Sequence, residues 1–239
     1  MLLNLISSFM SGEEYDIKIA IISFVLSLPI FMLAFSIHEY AHGLVASKLG
    51  DPTAKSLGRL TLNPIKHIDM FGFIAMLVFG FGWAKPVPIN TRYFKKPKRD
   101  MAITALAGPL ANLVMALASV LIGNIGLLIY GYTEIEILHY IAIFFSFVAS
   151  INISLAVFNL IPIPPLDGSR LLGVILPDRI YYRIMQYERY LFYIVLLLLA
   201  TDVLTVPLAL ISGLVKNLYL FLSGIVFPDW VVNYMGYLL

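Results

Sequence analysis

Between Ile17 and Leu49 the chain reads IKIAIISFVLSLPIFMLAFSI and passes, with no turn signal, into HEYAHGLVASKLG. An apolar run of this length matches the roughly 20 residues that a helix needs to cross a bilayer. Two further runs, about 101–130 and 135–161, are separated only by GYTEIE, and a long apolar tail occupies about 190–211 and 213–227. A soluble domain has nowhere to hide so many runs. Composition agrees: 60% of the 239 residues are hydrophobic and 13% charged, against about 45–50% and about 25% in soluble domains. The expected fold class is therefore an all-α multi-pass integral membrane protein. Sixteen basic and fourteen acidic residues leave a net charge of +2, without the concentrated basic excess of a nucleic-acid binder. No cysteine is present, which excludes disulfides and thiolate metal sites. Any metal must be held by histidines and carboxylates.

Charge placement orients the chain. Fourteen of the sixteen Lys and Arg residues fall in 48–99 or 170–189; the exceptions are Lys18 and Lys216. The positive-inside rule puts both basic regions on the cytoplasmic face, and the spans at 101–130 and 135–161 form an out-and-back pair that keeps them there. Residues 70–84 (MFGFIAMLVFGFGWA) are apolar but punctuated by Gly72, Gly80 and Gly82. A crossing here would split the basic charges between two faces, so the segment reads as a membrane-dipping hairpin, around 70–90. Such backbone survives at depth only against protein or a water-filled cavity. Met1–Met10 reads as a short interfacial segment rather than a cleavable signal, since it lacks a basic start. Pro29 marks a site for a kink in the first span. One domain is expected over 1–239, with a catalytic core at about 16–175 and a helical tail at about 176–239.

His38-Glu39-Tyr40-Ala41-His42 carries the chemistry. On a helix His38 and His42 stand one turn apart on one face, so both imidazoles reach one zinc. Glu39 lies about 100° round the helix, close enough to reach a water on that ion without binding the metal. Charged groups at such depth cost roughly 2.5–3.5 kcal/mol each, which a metal or a wet cavity offsets. A catalytic zinc needs a third protein ligand and an open position. His67, His139, Asp69, Asp100, Asp167 and Asp202 are the candidates. Asp167 stands out because the prolines of Asn159-Leu-Ile-Pro162-Ile-Pro-Pro165-Leu-Asp167-Gly168 must break the preceding helix, and an acid at a broken membrane helix suits a ligand site. The alternative is a surface loop in which Asp167 caps the next helix. Gly168 permits tight or left-handed backbone.

The pairing of HEYAH with a distant N-x-x-P-x-x-x-x-D-G resembles the site-2 protease family of intramembrane zinc metalloproteases. GRLTLNPIKHID (58–69), GWAKPVPIN (82–90) and ALAGPLANL (105–113) add to the likeness. The resemblance implies one zinc per chain on His38, His42 and Asp167, held by a core of three transmembrane helices. It implies Glu39 as the acid/base residue, Asn159 as the group that positions the substrate chain, and strand-like structure near the site within 70–90. The substrate would be a membrane-anchored protein with a transmembrane segment, cleaved in the bilayer of a bacterial or archaeal cell, with the site nearer the cytoplasmic side. An unwound substrate would then pair with an edge strand in 70–90. Larger members carry PDZ or CBS domains, for which this chain has no room, leaving any regulation to a membrane partner. A membrane metal-binding or transport protein is the alternative, but its ligands would be strung across the bilayer, whereas these cluster on one side. His67 is expected to face solvent or phosphate, His139 to lie in an interface on the far side, Asn112 to bond towards the site or between helices, and Trp83 and Trp230 to anchor at the membrane surface.

Overall fold

The computed structural model describes residues 14–79, 82–201 and 203–239. The expectations for Met1–Met10 and Asp202 lie outside these. Among the described residues the order is α1 (Glu14–Lys48), α2 (Thr53–Ser56), α3 (Met70–Phe79), α4 (Pro97–Thr133), α5 (Glu136–Asn159), α6 (Gly168–Ile175), α7 (Asp178–Gln186), α8 (Glu188–Ala200), α9 (Thr205–Gly224) and α10 (Asp229–Leu238). Among the described residues four stretches are long and apolar enough to cross a membrane: Ile21–Lys48, Pro97–Thr133, Glu136–Asn159 and Thr205–Gly224. Helix α1 runs through Pro29 without ending.

Helices α1, α4 and α5 form the core. α4 stops at Glu134, whose φ of 54° is left-handed and whose N–H closes on the Tyr130 carbonyl at 2.8 Å. The two-residue joint turns α5 straight back along α4. Their seam is built from small residues, including Ala116, Ala142 and Ala149, all fully buried. In lipid, where apolar burial does not drive association, small residues let helices approach closely. α9 and α10 cover the far half of this pair: Tyr219 donates to the Leu113 carbonyl at 2.9 Å, and Val231 and Met235 complete the cluster.

The tail differs from its expected division. A break was expected near residue 212, yet α8 ends at Ala200 and α9 runs unbroken through Gly213. Glycine is tolerated inside membrane helices. The thirteen residues of α8 reach only about 20 Å, too short for a span.

The hairpin is real but mostly helical. α3 leads away and the chain returns so that Ile68 bridges Ala84 in antiparallel fashion and the Lys85 N–H meets the His67 carbonyl at 2.8 Å. That single bridge is all the strand-like structure among the described residues of 70–90. A helix satisfies its own backbone at depth, which a lone hairpin cannot. The limbs touch: a Cβ on Gly72 would stand 2.1 Å from the Trp83 carbonyl oxygen, and one on Gly82 2.2 Å from that of Gly72.

The returning segment is pinned to the end of α1. Asp51, fully buried, accepts from the Thr53 N–H at 3.0 Å and from the Thr53 hydroxyl, and its other oxygen accepts the Asn90 N–H at 2.7 Å. Asp51→Ala strands these donors, each costing about 1–3 kcal/mol when buried without a partner. The expected result is a lower thermal unfolding midpoint of the detergent-purified protein; an unchanged midpoint would show that water replaces the carboxylate.

Candidate active site and metal centre

The polar turn of α1 lies inside the protein. His38, Glu39 and His42 are 4%, 9% and 5% exposed. The joint between α5 and α6 brings Asp167 to the imidazoles: its Oδ2 lies 3.0 Å from His38 Nε2 and 3.2 Å from His42 Nε2. Tetrahedral zinc with N and O ligands at about 2.0–2.2 Å sets its donors about 3.3–3.6 Å apart. All three donor atoms lie within 4.8 Å of one another, and together they could hold a metal ion. Two imidazoles and a carboxylate are also a chemically apt zinc set. Burial raises the pKa of the Asp167 carboxyl, but hydrogen bonds with His38 and His42 outweigh it and hold the group well below the usual carboxylate range.

The far sides of the rings are committed as well. His42 Nδ1 meets the Thr104 carbonyl at 2.7 Å; a carbonyl only accepts, so Nδ1 carries a proton, and Nε2, facing Asp167, is the nitrogen left to bind a metal. His38 Nδ1 lies 2.6 Å from Asn112 Oδ1. Of the two roles weighed for Asn112, the structure shows it bonding towards the site, and also between helices, through Asn152. Glu39 Oε2 accepts the Val87 N–H at 2.7 Å.

Gly108 escaped the sequence reading as a site residue. A Cβ there would stand 2.4 Å from His42 Nε2 and 2.6 Å from His38 Nε2, inside the space the two donors face. A readable signal existed: Thr104, Gly108 and Asn112 recur every four residues along α4, a small or polar stripe on one face of an apolar helix. Gly168 works similarly on the other side. Its Cβ would meet the Leu160 carbonyl oxygen at 2.2 Å, so close approach, not left-handed backbone, requires glycine there.

The other candidate ligands are engaged elsewhere. Asp69 caps α3 through the Gly72 N–H at 2.9 Å. Asp100 accepts the Lys96 N–H and the Arg99 Nε–H, both at 2.9 Å. His139 pairs with the Tyr234 hydroxyl at 3.0 Å. His67 does not face solvent: it is buried, with Nε2 on the Thr61 carbonyl at 2.8 Å, because the hairpin folds over it.

A cavity of about 280 Å³ opens against the site. His38, Glu39 and Asp167 share its wall with Asn159, and its apolar lining includes Phe35, Trp83, Phe158 and Phe192. Trp83 stands edge-on to Phe192, ring centres 5.4 Å apart, so it packs beside the site. The expected substrate-pairing edge is largely used up. The N–H groups of Lys85, Val87 and Asn90 are bound to His67, Glu39 and Asp51, and Pro86 and Pro88 have none.

Comparison with known proteins agrees with this geometry. A family model described as peptidase family M50 matches residues 124–201, which include the Asn159–Gly168 segment. A Bacillus subtilis (strain 168) protein named "Putative zinc metalloprotease YwhC" is 44% identical over 174 residues, covering 71% of this chain and 78% of the relative. Proteins with the same description from Methanocaldococcus jannaschii (MJ0611) and Mycolicibacterium smegmatis (Rip2) are 34% and 30% identical, over 64% and 76% of this chain and 72% and 69% of theirs. No solved structure matches the chain.

Gly108→Ala is expected to exclude zinc by filling the space between the donors. Zinc content of the purified variant, measured by atomic emission against wild type, should fall to background; a full equivalent would mean that α4 shifts to make room.

Proposed function

The chain belongs to peptidase family M50, the site-2 protease family of zinc metalloproteases, and from that premise we propose that it is an endopeptidase cutting membrane-anchored proteins within or near their transmembrane segments, as a step of regulated intramembrane proteolysis. The observation that carries this reading is the convergence of three donors, two of which share the wall of an apolar cavity with the Glu39 carboxylate, beside a membrane helix. The catalytic core is taken as about 16–175, and the clustered basic residues support a site nearer the cytoplasmic face.

His38, His42 and Asp167 would hold the zinc. Bound there, the ion would act as a Lewis acid that lowers the pKa of water and polarises a carbonyl. Glu39 then handles the proton. The Val87 N–H fixes Oε2, leaving Oε1 to take a proton from the attacking water and deliver it to the departing amine. A helical substrate shields its carbonyls in i→i−4 bonds, so a stretch must unwind before attack, and the apolar lining accepts its side chains. Because the segment 85–90 has few free N–H groups, backbone recognition falls to Asn159. Its Nδ2 is bound to the Leu155 carbonyl at 2.9 Å, which leaves Oδ1 to accept a substrate N–H.

Glu39→Gln is expected to abolish cleavage of a co-expressed single-span substrate while zinc content stays at one per chain. Continued cleavage would remove Glu39 from the proton path. Asn159→Ala should slow the same cleavage, read by immunoblot, with zinc unchanged; loss of zinc would instead assign Asn159 a structural role.

A further inference from the structure

Three helices are joined behind His38 by a line of side-chain amides that the sequence reading did not assemble. Asn112 of α4 and Asn152 of α5 are 0% and 1% exposed. Asn152 Nδ2 donates to the Val148 carbonyl at 2.8 Å. Asn112 Nδ2 donates to Asn152 Oδ1 at 2.7 Å and reaches the Ala34 carbonyl of α1 at 3.4 Å. Asn112 Oδ1 lies 2.6 Å from His38 Nδ1.

The direction of every bond in this line follows from its far end. The Val148 carbonyl has no hydrogen to give, so the Asn152 amide must turn its NH₂ towards it. That leaves Asn152 Oδ1, an acceptor only, facing Asn112, which must answer with its own NH₂. Asn112 Oδ1 then faces His38, and the ring must donate from Nδ1. With Nδ1 committed as a donor, Nε2, the atom 3.0 Å from Asp167, is the nitrogen left to exchange its proton for a metal. Flipping either amide would set two donors or two acceptors against each other in a buried site, at about 1–3 kcal/mol for each group left unpaired.

We propose that Asn112 and Asn152 are positioning residues that relay the fixed polarity of the α5 backbone to His38, holding Nδ1 as the donor and the ring in the orientation that turns Nε2 to the metal. Asn152 acts without touching the site. His42 needs no such relay, because the Thr104 carbonyl meets it directly. The proposal rests on the reading of His38 as a zinc ligand.

The test measures zinc affinity of detergent-purified protein by competition with a chromogenic chelator, which is independent of proteolysis. Groups that orient a ligating histidine are worth about 10–100-fold in metal affinity. Asn112→Leu and Asn152→Leu are each expected to weaken zinc by that factor. Asn112→Asp keeps an acceptor opposite His38 Nδ1, though it faces Asn152 Oδ1 with a second acceptor, and should hold zinc more tightly than Asn112→Leu. Wild-type affinity in both leucine variants overturns the proposal. So does equal weakening in Asn112→Leu and Asn112→Asp, which would show that packing, not the acceptor, is what matters. His38→Ala separates the two levels: if it binds zinc as wild type does, the ligand assignment itself fails, whereas zinc lost there but kept in the leucine variants sinks only the relay.

Discussion

A polar atom removed from water has to find a partner, and in this protein that rule acts hardest on one turn of α1. His38, Glu39 and His42 sit on a helix whose neighbours are apolar, and each is nearly closed off from solvent. Leaving one such group unpaired costs about 1–3 kcal/mol, so several together would rival the 5–15 kcal/mol that holds a typical domain folded. The fold answers from three elements. α4 supplies the Thr104 carbonyl and Asn112, the returning limb of the hairpin supplies the Val87 N–H, and the α5–α6 joint supplies Asp167. These partners are also what the chemistry requires. Satisfying the turn and building the site are one process.

Close approach is achieved by leaving atoms out. Gly108 vacates the space that the two imidazoles face, Gly72 and Gly82 let the limbs of the hairpin touch, and Gly168 lets α6 start against the end of α5. Each lies where a backbone or a ring would otherwise collide with a Cβ. The helix seam uses alanine to the same end. A site made this way has little slack, which suits a metal that demands donors at fixed distances.

The same packing shapes access. Trp83 from the hairpin and Phe192 from the short α8 meet over the cavity, while Arg170 of α6 holds Glu188 at the start of α8 at 2.8 Å. The joint that carries Asp167 is thereby tied to the helix that lines the cavity. Apolar walls around a small polar patch fit a substrate that comes from lipid and exposes its backbone only where it is cut.

Local periodicity and charge determined much of this from the sequence alone. The i, i+4 spacing of His38 and His42 puts them on one face whatever surrounds them, and the basic clusters on both sides of 70–84 called for that segment to turn back, as the Ile68–Ala84 bridge shows it does. The prolines after Asn159 oblige α5 to end where an acid follows. Other features depended on neighbours that no local pattern names. Residues 70–79 became a helix because a hairpin alone cannot satisfy its backbone, and His67 was buried because that hairpin covers it. The break in the tail fell at Ala200, not beside Gly213, since glycine does not end a helix that lipid encloses. The contacts that complete the site join His38 to Asn112, 74 residues away, and to Asp167, 129 residues away. Sequence spacing carries no information on such pairings, because only packing decides which helix faces meet.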